Sequence, residues 1–341
     1  VFRNFLNSIL ALFARFAPAS VPTNTFTTYG AVGQREDLTD IISNIDPVDT
    51  PFFSNISKGD ADAKLHEWQT EALAAVDGSN AQLEGDDVGT FDAVTPTERI
   101  GNYTQISRKT VVISESEEEV DKAGRDSEMA RQIAKKGKEL RRDMETILLQ
   151  NQGAVAGSAS VARKLGSVLA FIKSNDDFGA GGASPSWTNI PTAARTDGTQ
   201  RTFTETQLKA VMQLGWEAGA KFKILMVGGY NKTIASGFAG IATKTYNIDS
   251  NSQTVATIGS VDVYVGDFHT VSIVPNRFQR GRDALLLDNE LVSLRYLRKF
   301  RTKKLGETGD NQKRLMVVEY TLRVENEKGL GLVADLCTAA C

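Results

Sequence analysis

The residues best suited to chemistry in this chain are carboxylates. The stretch Tyr29–Ile56, YGAVGQREDLTDIISNIDPVDTPFFSNI, holds five of them: Glu36, Asp37, Asp40, Asp46 and Asp49. Asp37 and Asp40 stand three apart beside Ile41, as neighbours on one helical face. Asp46 and Asp49 flank Pro47 and lead to Pro51. That is turn chemistry, because Asp bonds its own backbone and Pro presets φ. A metal or acid/base site here would rest on oxygens alone, with no nearby His or Cys and no glycine-centred calcium loop. The stretch reads instead as an amphipathic turn and an extended arm ending in Pro51-Phe52-Phe53. Phe52 and Phe53 are offered to a partner surface.

Other candidates for chemistry are equally thin. His66 and His269 lie far apart, and most zinc sites and Ser/His or Cys/His pairs need more than this. Cys337 and Cys341 fall in the last five residues and cannot staple the fold. Reduced terminal thiols are expected, over a disulfide or metal role, with a link to a neighbouring chain as the sharper alternative. GGYNKT, Gly228–Thr233, hints at a phosphate loop between a strand and a helix. Such a loop needs a glycine directly before its Lys-Thr pair, where Asn231 stands. A plain strand-to-helix turn is the expectation. No nucleophile–base pair appears, so the sequence predicts no catalytic residue, cofactor or metal.

Charge is nearly balanced, 39 basic against 42 acidic residues, which argues against a protein that coats nucleic acid. Two runs of opposite sign stand out. Glu115, Glu117, Glu118, Glu119 and Asp121 read as a solvated turn, or as the partner of a basic surface. Arg295, Arg298, Lys299, Arg301, Lys303, Lys304, Lys313 and Arg314 supply such a surface. In a self-assembling protein these runs can meet across chains and set register more than affinity. On a monomer the 295–314 segment would be a modest nucleic-acid patch, with only Tyr296 and Phe300 for stacking. A nucleic-acid-binding module is therefore the alternative reading.

No 18-residue apolar run predicts a transmembrane helix. Residues 1–20 place Phe2, Phe5, Leu6, Ile9, Leu10, Phe13 and Phe16 on one helical face. A signal peptide and a membrane-surface helix are rivals, but Arg15 interrupts the apolar stretch and docking on protein is favoured. A chain beginning at Val1 implies an initiator Met or a longer segment before it.

These residues need elements to position them. Residues 64–73 alternate as a strand, with His66, Trp68 and Thr70 on one face. Residues 99–114 read as its return strand, across a Gly/Asp-rich excursion. So long a hairpin needs another surface to lie on. A long helix follows over 126–151, with Met129, Ile133, Leu140, Met144, Ile147 and Leu148 as its apolar stripe and a basic opposite face. ARKLGSVLAFIKSN suggests a shorter helix. From Thr204 the order is helix, buried strand KILMVGG, short helix, then strands near TVATIGSV and VDVYVGDFHTVSIVPN, a small mixed α/β domain. The C-terminal block is all strand. In VVEYTLRVEN, Val318, Tyr320, Leu322 and Val324 point in, and Glu319, Thr321, Arg323 and Glu325 point out.

Segments in this order resemble one family. NTFTTYGAVGQREDLTDIISNIDPVDTPF, HEWQTEALA, NAQLEGDD, NYTQISRKTVVIS, METILLQNQ, YLRKFRTKKLGETGD and EYTLRVENEKGLG look like the major capsid proteins of tailed bacteriophages, from about Thr23 to Leu336. The resemblance implies an α+β capsid fold, shared with herpesvirus floors and encapsulin shells. It assigns 1–56 to an N-terminal arm, 57–120 to an extended E-loop, and 121–203 to a peripheral domain with its spine helix at 126–151. It assigns 204–280 to an α/β axial domain and 281–341 to further peripheral strands. Implied with it are hexamers and pentamers of a phage head assembled in the bacterial cytoplasm. Implied partners are portal and scaffolding proteins, a possible decoration protein and packaged double-stranded DNA bound without sequence specificity, with no membrane. Expected assembly contacts are Phe52, Phe53, Trp68, Glu84, Asp86, Asp87, Arg298 and Arg301. The 1–20 helix lies outside the family pattern. The Lys–Asn crosslinking of some such shells finds no acceptor or catalytic acid here.

Overall fold

The computed structural model describes residues 46–85, 87, 89, 91–122, 126–238, 262–306 and 308–341. The predicted 1–20 helix, the carboxylates Glu36, Asp37 and Asp40, and the TVATIGSV strand lie outside them. Three sheets organise the described chain. The first runs β1 (Ser57–Asp60), β10 (Val292–Lys304), β11 (Asn311–Val324), β4 (Gln105–Ser114). The second runs β5 (Asp176–Asp177), β12 (Leu330–Val333), β9 (Ala284–Leu287), β6 (Ile224–Val227), β8 (Thr270–Pro275), β7 (Val263–Val265). The third is the hairpin of β2 (Leu65–Thr70) and β3 (Glu98–Tyr103). The helices are α1 (Pro51–Asn55), α2 (Glu115–Glu119), α3 (Glu128–Leu149), α4 (Val168–Phe171), α5 (Glu205–Glu217) and α6 (Gly229–Ala235).

The long helix is α3. Ser127 caps it by accepting the Ala130 N–H, and Glu118 from α2 accepts the Ser127 hydroxyl at 2.5 Å and the Met129 N–H at 3.2 Å. The acidic run after β4 thus helps to start the next helix, where carboxylates suit the positive end of the helix dipole. Met129, Leu140, Met144 and Leu148 are buried as the stripe requires. They pack on β4 and β11, with Ile133 and Ile147 half-buried at the margins. A second core lies between the six-stranded sheet and α5, where Leu208, Val211 and Met212 meet Phe222, Leu225 and Leu286. Thr204 and Gln207 close a reciprocal capping box at the start of α5, satisfying two orphan amides.

Three local expectations change. Residues 99–114 form two strands in two sheets, not one return strand. β3 pairs with β2, whereas β4 pairs with β11, Ser107 opposite Val318. The switch falls at Thr104, which is fully buried and donates its hydroxyl to Glu319 at 2.9 Å. Period-2 alternation cannot reveal a change of sheet between two strands that share it. ARKLGSVLAFIKSN shrinks to the single buried turn α4. In β11, Glu319 and Thr321 are buried along with the predicted inward residues. Their face is covered too: Thr321 donates to the Tyr103 carbonyl at 3.0 Å, and Glu319 meets Arg298 at 2.6 Å and Arg163.

Two buried carboxylates tie distant segments together. Glu145 of α3 accepts the N–H groups of Phe52 and Phe53 at 2.7 and 2.8 Å and Asn276 Nδ2 at 2.7 Å. It therefore caps α1, whose Thr50 side chain makes no capping bond. Burial pushes its carboxyl above the ordinary range, and the three donors oppose that. Asp335 accepts the Gly179 N–H at 3.1 Å and an Arg282 guanidinium N–H at 2.6 Å. Among the described residues it is the one non-glycine with left-handed backbone, φ 60°. The Arg201 N–H donating to its carbonyl at 2.7 Å helps to hold that strained turn.

Candidate assembly surfaces

The hairpin of β2 and β3 carries residues 71–97 at its tip, and every described residue there is exposed. Leu73, Val76, Leu83, Phe91 and Val94 are 80–98% exposed. Five large apolar side chains this exposed make an interaction surface. The same residues hold six carboxylates and no Lys or Arg. Gly85 takes φ 81° beside Glu84, a left-handed turn that suits glycine.

The expected contact residues divide sharply. Glu84 and Asp87 stand exposed in this tip, and Asp86 lies outside the described residues. Phe52, Phe53 and Trp68 belong to the chain's own core instead, at 0, 7 and 6% exposure. Trp68 packs against Phe171 with ring centroids 6.2 Å apart. Burying such a side chain within the subunit is worth roughly 1.5–3 kcal/mol, so none of the three is free for a neighbour. Arg298 is half-buried and spent on Glu319. Arg301 is exposed. Of the rest of the basic segment, Lys299 pairs with Asp60 at 2.8 Å and Lys313 bonds the Thr308 hydroxyl.

A groove that sequence reasoning missed runs between α3 and β10. Its floor is aromatic: Phe53, Tyr296 and Phe300, the last two with centroids 6.2 Å apart. It has a volume of about 530 Å³ and continues past Arg141 and Phe300 to Lys138 and Met316. Lys58 Nζ lies 4.6 Å from the Phe53 centroid and the Arg141 guanidinium 6.0 Å from it, a cation–π arrangement on both. Among the described residues, Lys58, Lys138 and Arg141 have no carboxylate in salt-bridge reach, unlike Lys299. Burial pushes the Tyr296 phenol up to about 12, so it stays neutral. Only the residue types of α3's basic face signalled this site. Its partner wall comes from more than 150 residues further along the chain.

Other singled-out groups take structural roles. Cys337 and Cys341 form a disulfide, Cα atoms 6.2 Å apart, which corrects the expectation of reduced thiols. The short C-terminal segment folds back so that the two Cα atoms lie within bonding geometry. Asn231 donates to the Gly281 carbonyl at 2.7 Å and Lys232 pairs with Asp262 at 3.0 Å, so GGYNKT is a structural turn. Burial lowers the pKa of both His66 and His269. Among the described residues, no group of three or more His, Cys, Asp or Glu is placed to hold a metal ion. No described helix is long and apolar enough to cross a membrane.

Comparison with known proteins fits a shell subunit. The major capsid protein of Escherichia phage Phieco32 is 27% identical over 345 residues, covering 90% of this chain and 96% of that protein. The capsid asymmetric unit of cyanophage A-1(L) superposes with a TM-score of 0.64 at 12% identity, covering 92% of this chain and 99% of the other. The asymmetric unit of the bacteriophage PhiM1 mature capsid gives 0.57 at 8% identity, covering 94% and 98%. At such identities the structural matches establish the capsid fold alone. The sequence model of the SU10 major capsid protein matches residues 21–337, nearly the whole length, and the chain belongs to that family of phage capsid proteins.

Proposed function

We propose that the chain builds the icosahedral head of a tailed phage, as hexamers and pentamers closed around double-stranded DNA. Function is carried by surfaces, with no reactive centre. The observation that carries this reading is the 71–97 tip, acidic, rich in large apolar groups and with every described residue exposed on the subunit. Laid on a neighbour, each such apolar side chain contributes roughly 1.5–3 kcal/mol on full burial. One heterologous contact repeated by rotation closes a ring, and rings close a shell. In this reading residues 1–56 are a contact arm, 57–120 the E-loop region, 121–203 and 281–341 the peripheral domain and 204–280 the axial domain. Portal, scaffolding and decoration proteins are its further partners in the host cytoplasm. A formal net charge of −3 suits a wall that does not grip packaged DNA.

The test is deletion of residues 78–92. The subunit is expected to fold, because every described residue of that segment is exposed, and to form no closed shells. Normal shells from the deletion sink the E-loop assignment. The alternative, a nucleic-acid module using 295–314, predicts DNA binding that falls steeply between low and physiological salt. It is weakened by the internal pairing of Arg298 and Lys299.

A further inference from the structure

We infer that the Cys337–Cys341 disulfide is a redox-sensitive clamp on the two connections that join the α5–β8 segment to the rest of the subunit. The first connection, 201–204, leads into α5, and the second, 276–283, leads from β8 to β9. Residues 335–337 run between them. The Arg201 N–H donates to the Asp335 carbonyl at 2.7 Å, the Cys337 N–H to the Arg201 carbonyl at 2.9 Å and the Leu336 N–H to the Arg282 carbonyl at 2.8 Å. The ring closed by the disulfide adds a side-chain contact to each connection. Thr338 lies over Gly281, where an added Cβ would come within 3.0 Å of its Cγ2, and Cys341 Sγ lies 3.7 Å from Thr202 Oγ1. Residues 338–341 are exposed, so the closed ring is what keeps them on both connections. Cys337 is buried and Cys341 is exposed, so thiol exchange begins at Cys341. Closing uses a small-molecule disulfide such as glutathione disulfide. The Cys341 thiolate displaces one thiol to form a mixed disulfide, and the Cys337 thiolate displaces the second. Two protein thiols become one disulfide, the small disulfide becomes two thiols, and the two protons pass to the released thiols. A dithiol reductant reverses the exchange. A reducing compartment therefore opens the clamp and an oxidising one closes it. The clamp lies within one subunit and is independent of the shell reading above.

The full-length chain has two cysteines, so a reductant acts on this bond alone. Amide hydrogen exchange compares the protein in glutathione disulfide with the protein in dithiothreitol, and thiol alkylation counts the open sulfurs in each. Alkylation is expected to find no thiols in the first buffer and both in the second. Opening a ring of five residues returns loop-closure freedom equivalent to roughly thirtyfold, so the Arg201, Leu336 and Cys337 amides should exchange roughly thirtyfold faster in reductant. Peptides of α3 and β11 are expected to keep their rates. Cys341→Ser, at an exposed position where folding is expected to survive, should show the faster rate in both buffers. Two alkylated thiols in glutathione disulfide overturn the inference, because the bond then does not form. Equal exchange at 335–337 in the two buffers overturns it, because the bond then holds nothing. Acceleration that extends through α3 and β11 also overturns it, since the bond would then support the whole fold and not these connections. So does a reductant effect that persists in Cys341→Ser.

Discussion

Glu145 is the carboxylate on which the entry of the N-terminal segment depends, and replacing it gives a measurable result. Glu145→Ala strands three buried donors: the Phe52 and Phe53 N–H groups and Asn276 Nδ2. A buried donor left without a partner costs about 1–3 kcal/mol, so the gross loss is about 3–9 kcal/mol. Relief of the carboxylate's own desolvation offsets part of this, leaving about 4 kcal/mol. Urea unfolding followed by tryptophan fluorescence suits the measurement, because Trp68 lies in the same core. With a slope of roughly 3 kcal/mol/M, the midpoint falls by about 1 M. Glu145→Gln keeps one acceptor oxygen and is expected to lose about half as much. The sign of the pH dependence follows from burial, which raises the folded pKa above the unfolded value. Between those two values the folded state holds more protons, so the group's stabilisation is lost as pH rises through its folded pKa. The gap between wild type and Glu145→Gln should widen as pH is lowered through that window. Equal midpoints for wild type and Glu145→Ala refute the role given to this carboxylate.

Three further outcomes are expected. Burial drives the Asp283 carboxyl up to about 6, against the pull of Arg280, Arg195 and Arg282 and with the push of Asp197. It therefore subtracts about 3 kcal/mol from stability as pH rises from about 4 through 6, and Asp283→Asn should flatten that slope in urea titrations at stepped pH. Glu319→Ala leaves Arg163 and Arg298 facing each other around a half-buried gap, and a loss of about 3–5 kcal/mol is expected by chemical denaturation. Trp68→Ala should cost about 3–5 kcal/mol in the isolated subunit. An unchanged melt combined with failed assembly would return Trp68 to the interface.

Elements set by local periodicity were readable from the chain itself. The apolar stripe and basic opposite face of α3, with Ser127 before them, specify an amphipathic helix wherever it lies. The alternation of Val318, Tyr320, Leu322 and Val324 specifies a strand with one face inside. The loop tip was readable as well, because Gly- and Asp-rich sequence with Leu83 and Phe91 forms no core of its own. The destinations of these elements were not readable. β3 and β4 share one alternation, and only pairing with a strand some two hundred residues away separates them. Glu319, Glu145 and Asp335 look like surface residues in sequence, since a carboxylate gives no sign of the distant donors that will surround it. Phe52, Phe53 and Trp68 were legible as apolar anchors, but not as anchors within their own subunit. Periodicity fixes which side of an element is apolar, whereas the covering partner is chosen by long-range packing. The groove shows the same limit. Its cations come from one turn of α3 and from β1, its aromatics from α1 and β10, and only the tertiary fold brings them together.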